Sequence, residues 1–111
     1  MSIDIQIEEK APATVVKVVG EVDLYSSPQL RQHIRQVLKK KPAIVVIDLN
    51  QVEYMDSSGV ATLVEGLKNI SKKGGQLRLA GLTDPVRQVF KFAHLDKVFD
   101  IYDRPEEALG R

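Results

Sequence analysis

The sequence predicts an α/β domain built on a mixed, mostly parallel sheet of four to five strands with about four helices. Strand-like and helix-like segments alternate in the order β-β-α-β-α-β-α-β-α, and such repeated units imply parallel strands joined by right-handed crossovers. Residues 43–49 are almost continuously apolar, which is typical of a central strand covered on both faces. Because 111 residues is the usual size of one domain, we expect residues 1–111 to fold as a single unit.

The chain begins with two predicted strands. Ile3, Ile5 and Ile7 alternate with polar residues, which predicts a half-buried strand at a sheet edge. Residues 14–19 are mostly β-branched and predict a second strand that ends at Gly20. The first strand is expected to pair antiparallel with the rest of the sheet.

The first helix is predicted from the residues at its two ends. Ser27 is a suitable N-cap, and Pro28 fits the first helical position. Apolar residues follow at helical spacing until a run of three lysines, 39–41, suits the negative end of the helix dipole. The strand at 43–49 comes next, and residues 50–55 are predicted to form a short connection.

The second half of the chain repeats the strand–helix unit. A long helix is predicted to begin near Ser57 or Ser58, because an apolar stripe with the spacing i, +3, +4, +7, +10 follows. Gly74 and Gly75 end that helix. The remaining predicted elements are a strand at 77–81, a helix opened by Thr83-Asp84-Pro85, a strand at 98–101 and a short terminal helix that starts within 103–106.

The composition excludes several classes of function. The chain has 16 Lys and Arg against 15 Asp and Glu, a net charge of +1, which argues against direct nucleic-acid binding. It has no cysteine, so disulfides, cysteine zinc sites and thiol chemistry are excluded. We find no metal-ligand constellation, phosphate-cradling loop, signal peptide or apolar run long enough to insert into a membrane. We therefore expect a cytoplasmic protein without a cofactor or a bound metal.

Polar residues follow three of the predicted strands at their carboxyl ends. Binding sites of parallel α/β sheets form outside these ends, so the connections 21–27, 50–57 and 81–84 are expected to share one rim. The rim carries Asp23, Tyr25, Ser26, Ser27, Asp56, Ser57, Ser58, Thr83 and Asp84.

The most informative string on this rim is residues 54–59, Tyr-Met-Asp-Ser-Ser-Gly. Asp and Ser are ordinary N-cap residues, so capping and a functional role both stay open, and the two are compatible. A catalytic serine would need a base within reach, and the histidines, His33 and His94, are not predicted on the rim. We therefore predict no catalytic residue and no enzyme activity.

Two strings resemble those of the STAS domain family, most closely its bacterial anti-sigma factor antagonists. They are Gly-Glu-Val-Asp at 20–23, after the second strand, and Met-Asp-Ser-Ser-Gly at 55–59, before the long helix. The resemblance extends over essentially the whole chain in element order and length. It implies the STAS fold and a role in switching between protein partners.

The resemblance also implies a role for individual residues. Ser57 would be phosphorylated by an anti-sigma factor that is itself a serine kinase, and a separate serine phosphatase would remove the phosphate. The unphosphorylated form would bind the anti-sigma factor and release the sigma factor, and the phosphorylated form would not bind. Asp23, Asp56, Ser58 and Gly59 would lie at or beside the partner surface. The alternative implied by the same family is an accessory subunit of a lipid ABC-type membrane transporter.

Overall fold

A five-stranded mixed sheet organises the computed structural model, which describes residues 3–110. The strands lie in sequence order, and β1 pairs antiparallel with β2 while the other neighbours pair parallel. This arrangement confirms the predicted α/β class and the antiparallel edge strand. The strands are β1 Asp4–Lys10, β2 Ala13–Val22, β3 Ile44–Met55, β4 Gln76–Ala80 and β5 Asp100–Tyr102.

Three α-helices connect the strands within the described residues, one helix fewer than predicted. They are α1 Ser27–Lys39, α2 Ser57–Lys72 and α3 Asp84–Phe92. The predicted terminal helix is instead a 3-10 turn, Pro105–Ala108, without a side-chain hydrogen bond at its N-cap. A segment of four residues is too short to hold an α-helix by its own hydrogen bonds. Within residues 3–110, no helix has both the length and the apolar character needed to cross a membrane.

The two faces of the sheet are covered differently. Side chains of β3 alternate between the faces, so Val45 and Ile47 join the core formed with the three helices, whereas Ile44 and Val46 contact a smaller cluster that includes Ala108. The predicted burial of β3 on both faces is thereby confirmed, with the C-terminal turn covering the second face.

Arg78 holds that C-terminal turn in place. Its side chain is buried. Its Nη1 donates a hydrogen bond to the Ala108 carbonyl oxygen at 3.0 Å and another to the Gly110 carbonyl oxygen. Its guanidinium group lies 5.5 Å from the centre of the Tyr102 ring. Hydrogen bonds from a charged donor are stronger than neutral ones, so this single side chain couples β4 to the end of the described chain.

β3 is longer than the sequence predicts, because residues 50–55 continue the strand and do not form a connection. The last part of β2 pairs with this extension in a shifted register, with Gly20 opposite Val52 and Val22 opposite Met55. Val52 and Met55 are buried, and burial together with new ladder hydrogen bonds stabilises the extended form. The rim of the sheet therefore begins directly at residue 56.

Candidate functional site

The ends of β2 and β3 meet at one rim, where Val22 is paired with Met55, and the connection after β4 lies beside β3 a few residues before that strand ends. The Asp56 amide donates to the Val22 carbonyl oxygen at 3.1 Å, which joins the end of β2 to the start of α2. The Thr83 hydroxyl donates to the Val52 carbonyl oxygen at 2.7 Å, which joins the connection after β4 to β3. The three predicted connections are thus held together by direct hydrogen bonds.

Asp56 is the N-cap of α2. Its backbone is extended, and its Oδ1 accepts hydrogen bonds from the Ser58 amide at 2.9 Å, the Ser58 hydroxyl at 2.5 Å and the Gly59 amide at 3.4 Å. These bonds satisfy amides that the helix itself leaves without partners. The Asp56 carboxylate therefore caps the helix, and the Ser58 hydroxyl donates its hydrogen bond to that carboxylate.

Ser57 is the first residue of α2, and its situation differs from that of Ser58. It is exposed to solvent, and its hydroxyl makes no hydrogen bond to any residue within 3–110. The N-terminus of a helix presents free amides and the positive end of the helix dipole, which favour an anion. Ser57 is thus an accessible hydroxyl at a helix end that favours negative charge.

Gly59 is buried beneath this surface. A Cβ at this position would lie 2.7 Å from Met55 Cγ and 2.7 Å from Val22 Cγ1. Real Cβ atoms do not approach so closely, so the missing side chain is what allows the first turn of α2 to pack on the ends of β2 and β3. Gly59 is thus placed beside the rim surface but does not form part of it.

Asp23 organises the turn between β2 and α1. Its Oδ1 accepts hydrogen bonds from the Tyr25 and Ser26 amides, both at 2.9 Å, and from the Ser26 hydroxyl at 3.2 Å. The bond from the Ser26 amide is the main cause that lowers the pKa of the Asp23 carboxyl below its usual value, with a smaller effect from Tyr25. The carboxylate is therefore ionised at neutral pH and closes the turn.

Two serines of the predicted rim are buried. Ser26 is the N-cap position of α1, one residue before the predicted cap, and its hydroxyl donates to the Glu21 carbonyl oxygen at 2.8 Å. Ser27 is the first residue of α1 and is also buried. Both side chains face inward and contribute to the turn, so they are unavailable to a partner.

Apolar side chains are exposed on or beside this rim, and sequence reasoning missed Leu24. Leu24 is 66% exposed, Tyr25 is 81% exposed and Tyr54 is 49% exposed. Tyr25 was among the predicted rim residues and Tyr54 opened the predicted string 54–59, whereas Leu24 was in neither set. The available signal was a Leu-Tyr pair that lies between polar residues, after Asp23 and before Ser26 and Ser27.

The surface around Asp56 and Ser57 is open. No cluster of three or more potential metal ligands exists among the described residues 3–110. Among residues 3–110, neither Asp56 nor Ser57 lines any of four well-formed surface clefts of about 230–360 Å³. An open polar edge with exposed apolar side chains suits contact with another protein.

A family model for the STAS domain matches residues 4–108. The chain belongs to the STAS domain family. The anti-sigma-B factor antagonist of Bacillus subtilis (strain 168) is 32% identical to this STAS domain over 106 residues, which are 96% of each chain. The crystal structure of an anti-sigma factor antagonist from Mycobacterium paratuberculosis is 31% identical, covers 96% of this chain and 91% of that one, and has a TM-score of 0.89.

The fold is also shared with the Bacillus protein SpoIIAA in two states. The unphosphorylated form is 24% identical with a TM-score of 0.82, covering 95% of this chain and 92% of that one. The phosphorylated form is 23% identical with a TM-score of 0.74, covering 95% and 96%. At this identity the comparison shows the common fold alone.

We predict that Asp56→Ala destabilises the STAS domain and that Asp56→Asn does so much less. Alanine removes the acceptor of the cap, which costs about 1 kcal/mol, whereas asparagine keeps it. Urea unfolding followed by circular dichroism measures both free energies of unfolding. Equal losses in the two variants would contradict the role of Oδ1 as a cap acceptor.

We predict that Gly59→Ala lowers the free energy of unfolding, although alanine is the better helix former by about 1 kcal/mol. The added methyl group overlaps Met55 and Val22, and overpacking of this kind costs about 1–3 kcal/mol. Gly66→Ala in the same helix is the matched control, since its Cβ would lie 3.3 Å from Ile34 Cγ2. A larger loss at position 66 than at 59 in thermal unfolding would refute the close approach.

Proposed function

We propose that this STAS domain is an anti-sigma factor antagonist that works by exchange of protein partners. Its unphosphorylated form binds an anti-sigma factor with serine kinase activity, and the sigma factor is thereby released. Phosphorylation of Ser57 blocks this binding, and a serine phosphatase restores it. The names of relatives that match over nearly the whole chain support this function.

The single observation that carries the proposal is the contrast between the two adjacent serines. The Ser58 hydroxyl donates to Asp56 at 2.5 Å, whereas the Ser57 hydroxyl is exposed and not hydrogen-bonded within the described chain. A kinase needs a hydroxyl that can reach its active site without breaking structure. Ser57 meets that requirement, and Asp56, Ser58 and Gly59 build the helix start that presents it.

The effect of the phosphate follows from its charge. A phosphoserine adds about −1.5 to −2 charges at neutral pH, which would change the net charge from +1 to about −1. At the N-terminus of α2 the free amides and the dipole stabilise the anion, so we expect little change in backbone structure. The loss of binding must therefore arise at the interface.

Desolvation of the phosphate accounts for that loss. Docking would bury a dianion beside Asp56, and burial of an imperfectly paired charge costs several kcal/mol. Each 1.4 kcal/mol changes affinity about tenfold, so one phosphate weakens binding by orders of magnitude without a conformational switch. Nuclear magnetic resonance shifts that change throughout the core on phosphorylation would contradict this explanation.

The chain itself supplies no chemistry in this proposal. The partner kinase brings the ATP, so the STAS domain needs no cofactor, and it acts stoichiometrically and not as an enzyme. Because sigma factors act on RNA polymerase, the proposed site of action is the cytoplasm.

We predict opposite effects of two substitutions at Ser57. Ser57→Ala abolishes phosphate transfer but retains binding, because the small side chain leaves the interface uncharged. Ser57→Asp weakens binding about tenfold or more, because a carboxylate must be desolvated. The bound kinase is first isolated by pull-down from the source cell, and affinity is then measured by calorimetry and phosphate transfer by mass spectrometry.

Ser71→Ala is the matched control for this experiment, since Ser71 is an exposed serine near the other end of α2. It should match the wild-type chain in both binding and phosphate transfer. Phosphate on a residue other than Ser57 would overturn the assignment. Isolation with a transport ATPase and a permease, without phosphate transfer, would instead favour the transporter role.

A further inference from the structure

The turn between β2 and α1 exposes two adjacent apolar residues. Leu24 is 66% exposed and Tyr25 is 81% exposed, although the core of this small domain contains many apolar side chains that are completely buried. Single exposed apolar residues are common, but an adjacent pair at the apex of one turn forms a patch that a binding partner can cover.

The turn that carries this pair is held in one conformation. Asp23 Oδ1 accepts from the Tyr25 and Ser26 amides, and the Ser27 amide donates to the Asp23 carbonyl oxygen at 2.8 Å. The Ser26 hydroxyl accepts from the Asp23 amide at 2.9 Å. Leu24 and Tyr25 are thus presented on a rigid backbone, and this reduces the conformational entropy lost on binding.

The turn that carries the pair and the start of α2 that carries Ser57 leave neighbouring strand ends. The Asp56 amide is bonded to the Val22 carbonyl oxygen, and Val22 is paired with Met55. Leu24 follows Val22 by two residues and Ser57 follows Met55 by two residues, so both extend from neighbouring strand ends about 5 Å apart. A protein that contacts the Ser57 hydroxyl must also approach this turn.

We propose that Leu24 and Tyr25 are the apolar anchors that hold the anti-sigma factor against the Ser57 rim, and that Asp23 is a positioning residue that acts through the turn. This inference rests on the proposed function and adds the residues that supply the affinity. Tyrosine is enriched among the residues that dominate binding energy at protein interfaces. The role of Asp23 follows because its Oδ1 accepts hydrogen bonds from the Tyr25 and Ser26 amides and so fixes the turn that carries the two anchors.

The chemistry of the complementary surface follows from the charges around the anchors. The rim segments, residues 21–27, 56–57 and 81–84, contain four carboxylates and no lysine or arginine. The partner therefore presents an apolar pocket for Leu24 and Tyr25 that is framed by basic side chains. An apolar centre with a charged rim is the usual anatomy of such interfaces.

This arrangement also explains why a phosphate on Ser57 prevents docking onto a basic partner. The basic side chains of the partner meet the exposed carboxylates of Glu21 and Asp84, whereas the Asp56 carboxylate beside Ser57 is occupied by the start of α2. A phosphate at that position must lose its water among apolar groups, where little pairs with its charge. In this proposal Leu24 and Tyr25 supply the affinity for the partner, and a phosphate on Ser57, at the same rim, abolishes it.

The test compares Leu24→Ala and Tyr25→Ala with Phe92→Ala. Phe92 is 82% exposed, as Tyr25 is, but lies at the last residue of α3, which starts at the rim and runs away from it. Using the anti-sigma factor that phosphorylates the wild-type chain, calorimetry should show binding weakened about thirtyfold or more for each rim variant. Phe92→Ala should bind within about twofold of the wild-type chain.

The outcomes separate the inference from the function on which it rests. Suppose that the wild-type chain binds its kinase and that Leu24→Ala and Tyr25→Ala each bind it with an affinity within twofold of the wild-type value. Leu24 and Tyr25 are then not the anchors, and the proposed function stands. If no anti-sigma factor binds or phosphorylates the wild-type chain, the proposed function itself fails. Unchanged thermal unfolding of the variants shows that a loss of binding is not a loss of folding.

Asp23→Asn and Asp23→Ala test the positioning role. Asparagine keeps the Oδ1 acceptor of the turn and removes the charge, whereas alanine removes both. We expect Asn to bind within about threefold of wild type and Ala to bind about tenfold or more weakly, with faster hydrogen exchange of the Tyr25 and Ser26 amides in the Ala variant alone. Equal losses of binding in both variants, with exchange unchanged, would show that the charge contacts the partner directly.

Discussion

The close approach of α2 to the ends of β2 and β3 is the constraint on which the rim depends. It requires a residue without a side chain at position 59, because a Cβ there would overlap both Val22 and Met55. It also requires a polar residue at 56 whose amide bonds to the Val22 carbonyl oxygen and whose carboxylate caps the helix. These contacts bring the beginning of α2 and the turn after β2 into one surface.

The two serines at the start of α2, Ser57 and Ser58, differ in exposure and in hydrogen bonding. Ser58 lies over the cap carboxylate and bonds to it, while Ser57, one residue earlier on the helix, projects into solvent. Successive residues of a helix are rotated by about 100° around its axis, so neighbours in sequence face different surroundings. Helix capping and exposure of an unbonded hydroxyl are therefore compatible in one short string, because a different residue performs each.

The turn after β2 shows the same division between internal and external tasks. Its polar groups, Asp23 and Ser26, are occupied with one another and with the backbone, while its apolar groups, Leu24 and Tyr25, face solvent. This reverses the usual distribution, in which polar side chains are exposed and apolar ones are buried. The reversal makes physical sense if the exposed surface is completed by another protein.

The sequence by itself determined the order of the elements, the parallel core and the position of the α2 start, because these depend on local periodicity and on turn and cap residues. Only the tertiary structure decided the length of β3, since residues 50–55 include polar residues and are extended through pairing with β2. It likewise decided that Ser26 and Ser27 are buried while Leu24 is exposed. Burial depends on which distant segments pack against a side chain, and no local pattern contains that information.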